Sequence, residues 1–351
     1  MPEVWCSTVV NDELDLLECR LRLLDDVVDR FVVVEGDRTF TGQPKPFYVR
    51  ESIERFARWS GKLDVVSYKL SEQFDDWIGG LPGKARPNRE AWTREHEQKR
   101  AQLSPLRDAR PDDLVILGDV DELVDPRPVR WLIEHCDQPT RLRLRQAVYR
   151  ANWEWPLPYG NGPLALRARD LETHPFAMQM TGRPAPDHFG LRSDELDQCG
   201  WHLTSLGSAA DVKRKIAAFA HTELDNEAVT GAARLAFAEH MRVHFEGRGA
   251  LRTLSESDLE PAQRELLSLR SDLFDFSAPP SPRQARGVSA ALALCANPRA
   301  RRVIDRWLSE GRLPAPLAIA LSSVEDLRGA RRRRRPDPWA ERRNRLLRWD
   351  Q

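Results

Sequence analysis

The sequence predicts an α/β fold, a mostly parallel sheet flanked by helices, with a helical extension at its C-terminal side. Three observations carry this expectation. From Val4 to Cys136 short strand-like runs alternate with helix-patterned stretches, the signature of βα units in a parallel sheet. Two of the runs, Phe31-Val-Val-Val-Glu35 and Asp113-Leu-Val-Ile-Leu-Gly118, are continuously apolar, as strands covered on both faces must be. The third observation is a division of charge. The chain is neutral as a whole, yet residues 278–351 hold 17 arginines, no lysine and 7 acids, a net of +10, which leaves −10 on residues 1–277. Ala278-Pro-Pro-Ser-Pro282 opens the basic segment as a linker would, so the boundary between an α/β body and an Arg-rich extension is expected at 277/278.

The elements follow in order. Val4–Val10 is rich in β-branched residues and stops at Asn11-Asp-Glu13. Leu14, Leu17, Leu21 and Leu24 then recur at helical spacing, with Glu18 and Arg22 one turn apart. After the strand ending at Glu35, Gly36–Pro46 is loop-like, Ser52–Arg58 reads as a helix and Leu63–Tyr68 as a strand. The polar stretch Asp75–Arg89 leads into a charged helix, Glu90–Leu103. Pro126-Arg-Pro128 starts a helix that continues through Val129–Cys136, proline being at home in a first turn. Thr140–Arg150 and Pro163–Arg169 read as strands on either side of an aromatic loop, Asn152-Trp-Glu-Trp-Pro156. Beyond Gly200-Trp-His-Leu203 helices dominate, at Asp211–Ala220, Glu227–Arg234 and Pro261–Leu269. In the extension, helical patterns occur around Ala290–Leu294, Arg301–Leu308 and Trp339–Leu347, and Arg331–Arg335 is the one low-complexity run.

Composition excludes several classes. With 41% hydrophobic and 31% charged residues, 351 residues are enough for a buried core and too apolar for general disorder. No apolar run approaches the ~20 residues of a membrane span. The N-terminus lacks the basic-then-apolar pattern of a secretory signal. Five scattered cysteines without a C-x-x-C pair fit a reducing compartment, so a cytoplasmic location is expected. There is no P-loop, G-x-G-x-x-G or G-x-S-x-G, which removes simple NTPase, dinucleotide dehydrogenase and α/β-hydrolase readings.

In an open α/β sheet ligands bind beyond the carboxyl ends of the strands. Three strand ends carry acids here: Glu13, Glu35 and the cluster Asp119, Asp121, Glu122. Two aspartates at i and i+2 after an apolar strand can hold a hard divalent cation, which can neutralise a diphosphate leaving group. The same residues can equally form a solvated turn that caps the next helix. His202 could add imidazole nitrogen to that ion or be an ordinary half-buried histidine beside Trp201. Lys213, Lys215, His221 and Glu223 surround the apolar run Ile216–Ala220, as a phosphate site or as the polar rim of an amphipathic helix. His240 and His244 stand one helical turn apart without the acid that H-E-x-x-H requires, so a solvated helix face is expected. Trp153, Trp155 and Tyr159 either stack on a sugar or fill the core.

Several of these segments together resemble glycosyltransferase family 17. They are Asn11-Asp-Glu-Leu-Asp-Leu-Leu-Glu-Cys-Arg-Leu21, Asp26-Val-Val-Asp-Arg-Phe-Val-Val-Val-Glu35, Trp92-Thr-Arg-Glu-His-Glu-Gln-Lys-Arg100, Arg110 to Glu122, Gly200 to Gly207 and Lys215 to Glu223. The resemblance covers roughly residues 4–276 and implies a GT-A-like (Rossmann-like) transferase with a divalent ion, Mn²⁺ or Mg²⁺. It implies a UDP-sugar donor, by analogy UDP-N-acetylglucosamine, and inversion at the anomeric carbon. By motif position Asp119 and Asp121 would bind the metal with His202 as a third ligand, Asp119 also facing the ribose. Asn11, Glu13 and Glu35 would line the nucleotide pocket, and Arg94, Lys215 and His221 would contact the diphosphate. The carboxylate that deprotonates the acceptor hydroxyl is left open between Glu122, Glu223 and Asp187. The acceptor is expected to be a glycan, a lipid-linked sugar or a small molecule. The basic extension could contact the acidic body, anionic lipid or the acceptor. Two alternatives compete: a sugar-phosphate nucleotidyltransferase, and a nucleic-acid-binding protein acting through Arg331–Arg335 and Trp339. The acidic body speaks against nucleic acid.

Overall fold

The computed structural model describes residues 2–71, 89–160, 162–173, 194–225, 227–246 and 248–279. Most of the Asp75–Arg89 stretch, Asp187 and the whole basic extension from 280 onward lie outside them. The described chain forms two sheets. The first contains β1 (Val4–Val10), β2 (Arg30–Gly36), β3 (Leu63–Tyr68), β4 (Leu114–Asp119), β6 (Thr140–Leu142), β9 (Leu164–Arg167) and β10 (Asp194–Leu196), in the order β10-β6-β9-β4-β1-β2-β3. β3, β2, β1 and β4 are mutually parallel, the 3-2-1-4 order of a Rossmann-like half, and β9 runs antiparallel beside β4. The second contains β5 (Glu122–Val124), β7 (Leu144–Tyr149), β8 (Trp153–Gly160), β11 (Gly200–Leu206) and β12 (Arg252–Thr253), in the order β12-β8-β7-β11-β5. The longer helices are α1 (Leu14–Leu24), α2 (Arg89–Ala101), α3 (Pro126–His135), α4 (Ala209–Ala218), α5 (Ala232–His240) and α6 (Pro261–Leu269).

The apolar runs are explained by burial on both faces. Val4, Cys6 and Val10 of β1 join Leu17, Leu21 and Leu24 of α1 in one core, while Trp5 and Val9 join Val32, Val34 and Ala101 in another on the opposite side. Every residue of β1 is buried, so no polar alternation is left for the sequence to show. α6 closes over α1, with the Cys19 thiol donating to the Ala262 carbonyl.

Four expectations change. Thr140–Arg150 is two strands: β6 pairs in the first sheet and β7 in the second, with Arg143 between them tied to Glu195 at 2.8 Å. The expected aromatic loop is the start of β8, whose short partner β12 reaches only Trp153 and Glu154 and leaves Pro156 clear of any demand for an N–H on that edge. Ser52–Arg58 is a tight 3₁₀ helix, Ile53–Trp59, after a helical turn at Tyr48–Glu51. The helix expected at Glu227–Arg234 is broken at Gly231, which precedes α5.

The crossing between the sheets sets up the site. The chain leaves the first sheet at Asp119 and enters the second at Glu122, so Asp121 lies at the crossing. Gly118 is needed there, because a Cβ would come within 2.8 Å of Pro163 and 2.9 Å of the Glu122 carboxylate. Gly200 has φ +139, and a Cβ on it would sit 2.1 Å from the Leu123 carbonyl, so only glycine lets β11 approach β5.

Candidate active site

A cleft of about 590 Å³ opens where the carboxyl ends of β1 and β4 meet β7, β8 and β11. Asn11, Glu13, Asp119, Asp121, His202, Lys215 and His221 all line it. Asp121 is the hub. Its Oδ2 accepts from Lys215 Nζ at 2.7 Å, and its Oδ1 stands 3.5 Å from His202 Nε2. Lys215, on α4, also reaches Glu13 at 3.4 Å. Burial alone would raise the Asp121 carboxyl, but the charges and hydrogen bonds of Lys215 and His202 outweigh it and hold it far below the usual carboxylate range. Burial alone would lower the Lys215 ammonium, and Asp121 and Glu13 raise it above its ordinary value. Both groups are therefore charged at neutral pH.

The turn carrying the acids is clamped. Arg20 of α1, only 1% exposed, donates to the Asp119 carbonyl at 3.1 Å and the Glu122 carbonyl at 2.7 Å. The Leu203 N–H donates to the Asp121 carbonyl at 2.8 Å. Asp119 faces Lys99 at 3.4 Å, and Lys99 is held by Glu95 one turn earlier on α2 at 2.8 Å. Gln98 of the same helix donates to the carbonyls of Val10 and Val34, fixing α2 across the ends of β1 and β2. Arg20, Lys99 and Gln98 were not singled out from the sequence. Arg20 alone left a trace there: a charge three residues after Leu17 and four before Leu24, on the apolar stripe of α1.

Other expected residues sit elsewhere. Glu35 is fully buried and spends its carboxylate on the N–H groups of Val49 at 2.8 Å and Arg50 at 3.0 Å, which start a helical turn; it does not line the cleft. Arg94 also lies outside the lining and donates to the Phe40 carbonyl at 2.9 Å, packing its guanidinium against Gly42. Glu122 is 2% exposed, accepts the Asp119 N–H at 3.0 Å and is not among the residues lining the cleft. Asp187 and the side chains of Glu223 and Tyr159 lie outside the described residues. His221 lines the cleft with its ring edge-on to Trp92, centroids 4.7 Å apart.

The two histidines expected on one solvated helix face are separated, because α5 ends at His240 and Arg242 turns the chain with φ +50. His240 is exposed, whereas His244 is 3% exposed and lines the cleft. Trp153 fills the second core, and Trp155 lines the cleft.

The fit to a divalent ion follows from the donor set. Among the described residues no three His, Cys, Asp or Glu side chains gather round one point, because Asp119 turns to Lys99. The expected three-residue set is therefore not assembled. Asp121 Oδ1 and His202 Nε2 do converge, at a separation that two ligands each about 2.1 Å from one ion can hold. One carboxylate and one imidazole suit an ion that draws its other ligands from phosphate and water, as Mg²⁺ commonly does.

A Rossmann-like sheet with a polar cleft at the carboxyl ends of its strands defines an α/β protein of the open-sheet class with its ligand site there. Sequence comparison makes the class specific. The family model of glycosyltransferase family 17 matches residues 2–235, two thirds of the chain, and the chain belongs to that family. Human β-1,4-mannosyl-glycoprotein 4-β-N-acetylglucosaminyltransferase is 28% identical over 219 residues, covering 56% of this chain and 39% of that protein. The rat protein of the same name is also 28% identical, covering 56% and 38%. The chain thus spans less than two fifths of the length of these relatives. Among solved structures, glucosyl-3-phosphoglycerate synthase of M. tuberculosis is similar at 17% identity and a TM-score of 0.33, covering 67% of this chain and 81% of that one. That likeness is too distant to assign a ligand. Among the described residues no helix is long and apolar enough to cross a membrane.

Proposed function

We propose that the chain moves a sugar, N-acetylglucosamine by analogy with its named relatives, from a UDP-sugar to a hydroxyl of a glycan or smaller acceptor, with inversion and with a divalent ion, Mn²⁺ or Mg²⁺. The observation that carries the reading is the meeting of Asp121, His202 and Lys215 in a cleft at the carboxyl ends of the strands. Asp121 and His202 would hold the ion, which when bound neutralises the oxygens of the departing diphosphate. Lys215 brings a permanent ammonium to the same point, and Glu13 keeps it aimed into the cleft once Asp121 turns to the ion. Arg20 holds the acidic turn rigid, so its carboxylates need no reorganisation as charge develops. Asn11 and Asp119 flank the end of β1, where the nucleoside would lie. The proton of the acceptor hydroxyl needs a carboxylate within hydrogen-bond reach. Glu122 is turned to a backbone amide, which leaves Glu223 and Asp187 as the expected bases. The nucleotidyltransferase and nucleic-acid readings give way to the family assignment.

The test is UDP release from UDP-N-acetylglucosamine by the purified chain, with Mn²⁺, with Mg²⁺ and after chelation. The reading expects metal-dependent release that disappears in Asp121→Ala. Indifference to both the metal and that substitution, with all nucleotides bound equally, overturns it.

A further inference from the structure

The second sheet gives the cleft a row of side chains in register. Across adjacent strands His202 of β11 stands opposite Gln146 of β7, and Gln146 stands opposite Trp155 of β8. All three line the cleft. Neighbouring strands lie about 4.8 Å apart, so the indole is about 10 Å from the imidazole with one polar side chain between them. A ligand whose charged group sits at His202 therefore lays its next ring over Gln146 and the one after over Trp155.

The far end of this row has its own chemistry. His244 Nδ1 accepts the Glu246 N–H at 3.1 Å, so the imidazole is neutral and its proton is on Nε2. The ring is 3% exposed, packs at 4.5 Å on both Phe245 and Trp155, and no described residue accepts its Nε2–H. The Trp155 Nε1–H donates to the Arg248 carbonyl at 3.2 Å, which fixes the indole against Arg248. Glu246 lines the cleft beside them, ion-paired with the half-exposed Arg248. An indole surface with a fixed neutral donor and a carboxylate is what a sugar ring requires: an apolar patch for its C–H face and planar polar groups for its hydroxyls.

We infer that Trp155 and His244 form the subsite for a sugar ring of the acceptor, and that these two residues determine which acceptors are taken. The inference rests on the reading of the cleft given above, because that reading puts the diphosphate at His202 and the transferred sugar over Gln146. An acceptor ring on Trp155 then lies beside the anomeric carbon, with the Nε2–H of His244 donating to a ring hydroxyl.

The test uses saturation-transfer NMR on the full chain with p-nitrophenyl β-mannoside and p-nitrophenyl β-N-acetylglucosaminide as probes, with and without UDP. Ring-proton saturation is expected for at least one glycoside, falling at least fivefold in Trp155→Ala and in His244→Phe. Trp155→Phe, which keeps an aromatic ring and guards against loss of the fold, is expected to retain more than half of the signal. In steady-state assays Trp155→Ala raises the KM for the glycoside about tenfold more than the KM for UDP-N-acetylglucosamine. Glycoside signals that ignore both substitutions, or that are absent from the wild type, overturn the inference. So does a donor KM that rises as much as the acceptor KM, since the wall then serves the donor. UDP binding is scored separately: failure of the wild type to bind UDP sinks the reading of the diphosphate end, while a Trp155-dependent glycoside signal upholds the subsite regardless.

Discussion

The two ends of the cleft are built on opposite principles. At the strand-end side every described acid faces a cation: Asp121 faces Lys215, Asp119 faces Lys99, and Glu13 shares Lys215. At the far end, around β8, rings dominate the lining, His244 is neutral and Glu246 is paired with Arg248. The difference teaches how one cavity handles two kinds of group. A polyanion enters the charged end by exchange, taking the ammonium of Lys215 while Asp121 is released to an ion, so little uncompensated charge is ever buried. A neutral polyol enters the other end by stacking and directed hydrogen bonds, and an unpaired charge there would only add desolvation cost.

The largest effect should come from Asp121→Asn, which keeps the shape and removes the charge. UDP release at saturating donor is expected to fall about a thousandfold, some 4 kcal/mol of barrier. A loss below tenfold would move the chemistry away from the charged end. Lys215→Met should cost about ten- to a hundredfold, mostly in the donor KM. It also frees Oδ2 of Asp121, so half-maximal turnover should need less Mn²⁺ than in the wild type. A rise in the Mn²⁺ requirement would mean that Lys215 supports the ion rather than competing with it.

Legibility in the sequence divides along the same line. The charged end sits on β1, β2 and β4, whose apolar runs mark where each strand stops, so Glu13, Asp119 and Asp121 could be read as strand-end acids. Yet the same rule misplaced Glu35, because a strand end says nothing of which way a side chain turns, and here two backbone amides claim it. The aromatic end was only half legible, its tryptophans visible as sugar-stacking candidates but not the strand and turn that place them. β8 carries the prolines of a strand beside a short edge partner, and His244 owes its place to a turn after α5 that no periodicity announces. Asp121 and His202 were foreseeable from sequence; their pairing with Lys215 came from tertiary packing of α4.

Glu35 sharpens the comparison from outside the cleft. Glu35→Gln weakens one of two charge-assisted bonds to the Val49 and Arg50 amides, and about 2 kcal/mol of stability should be lost in urea unfolding. The donor KM should stay within twofold. A large change in KM with full stability would return Glu35 to the nucleotide pocket.

The neutral end makes the last prediction, and it concerns pH. Burial, helped by the Arg248 charge, pushes the His244 imidazole down to about 3 from its ordinary 6.5. The unfolded chain protonates this residue near 6.5 while the folded chain does not. The stability from His244 is therefore fully present above pH 6.5 and is lost as pH falls from 6.5 toward 3, at most about 1.4 kcal/mol per pH unit. Buried His96, pushed down to about 4, adds a slope of the same sign, and Asp125, pushed up to about 7 by burial and by Glu260, adds one of opposite sign between 3.8 and 7. Both are common to the wild type and His244→Phe, so the difference between the two urea-unfolding series isolates residue 244. From pH 6.5 to 4.5 the wild type should lose more stability than the variant. Parallel curves would mean that the folded protein protonates His244 as readily as the unfolded chain does, and a ring that gains a charge in that range is no fixed neutral donor.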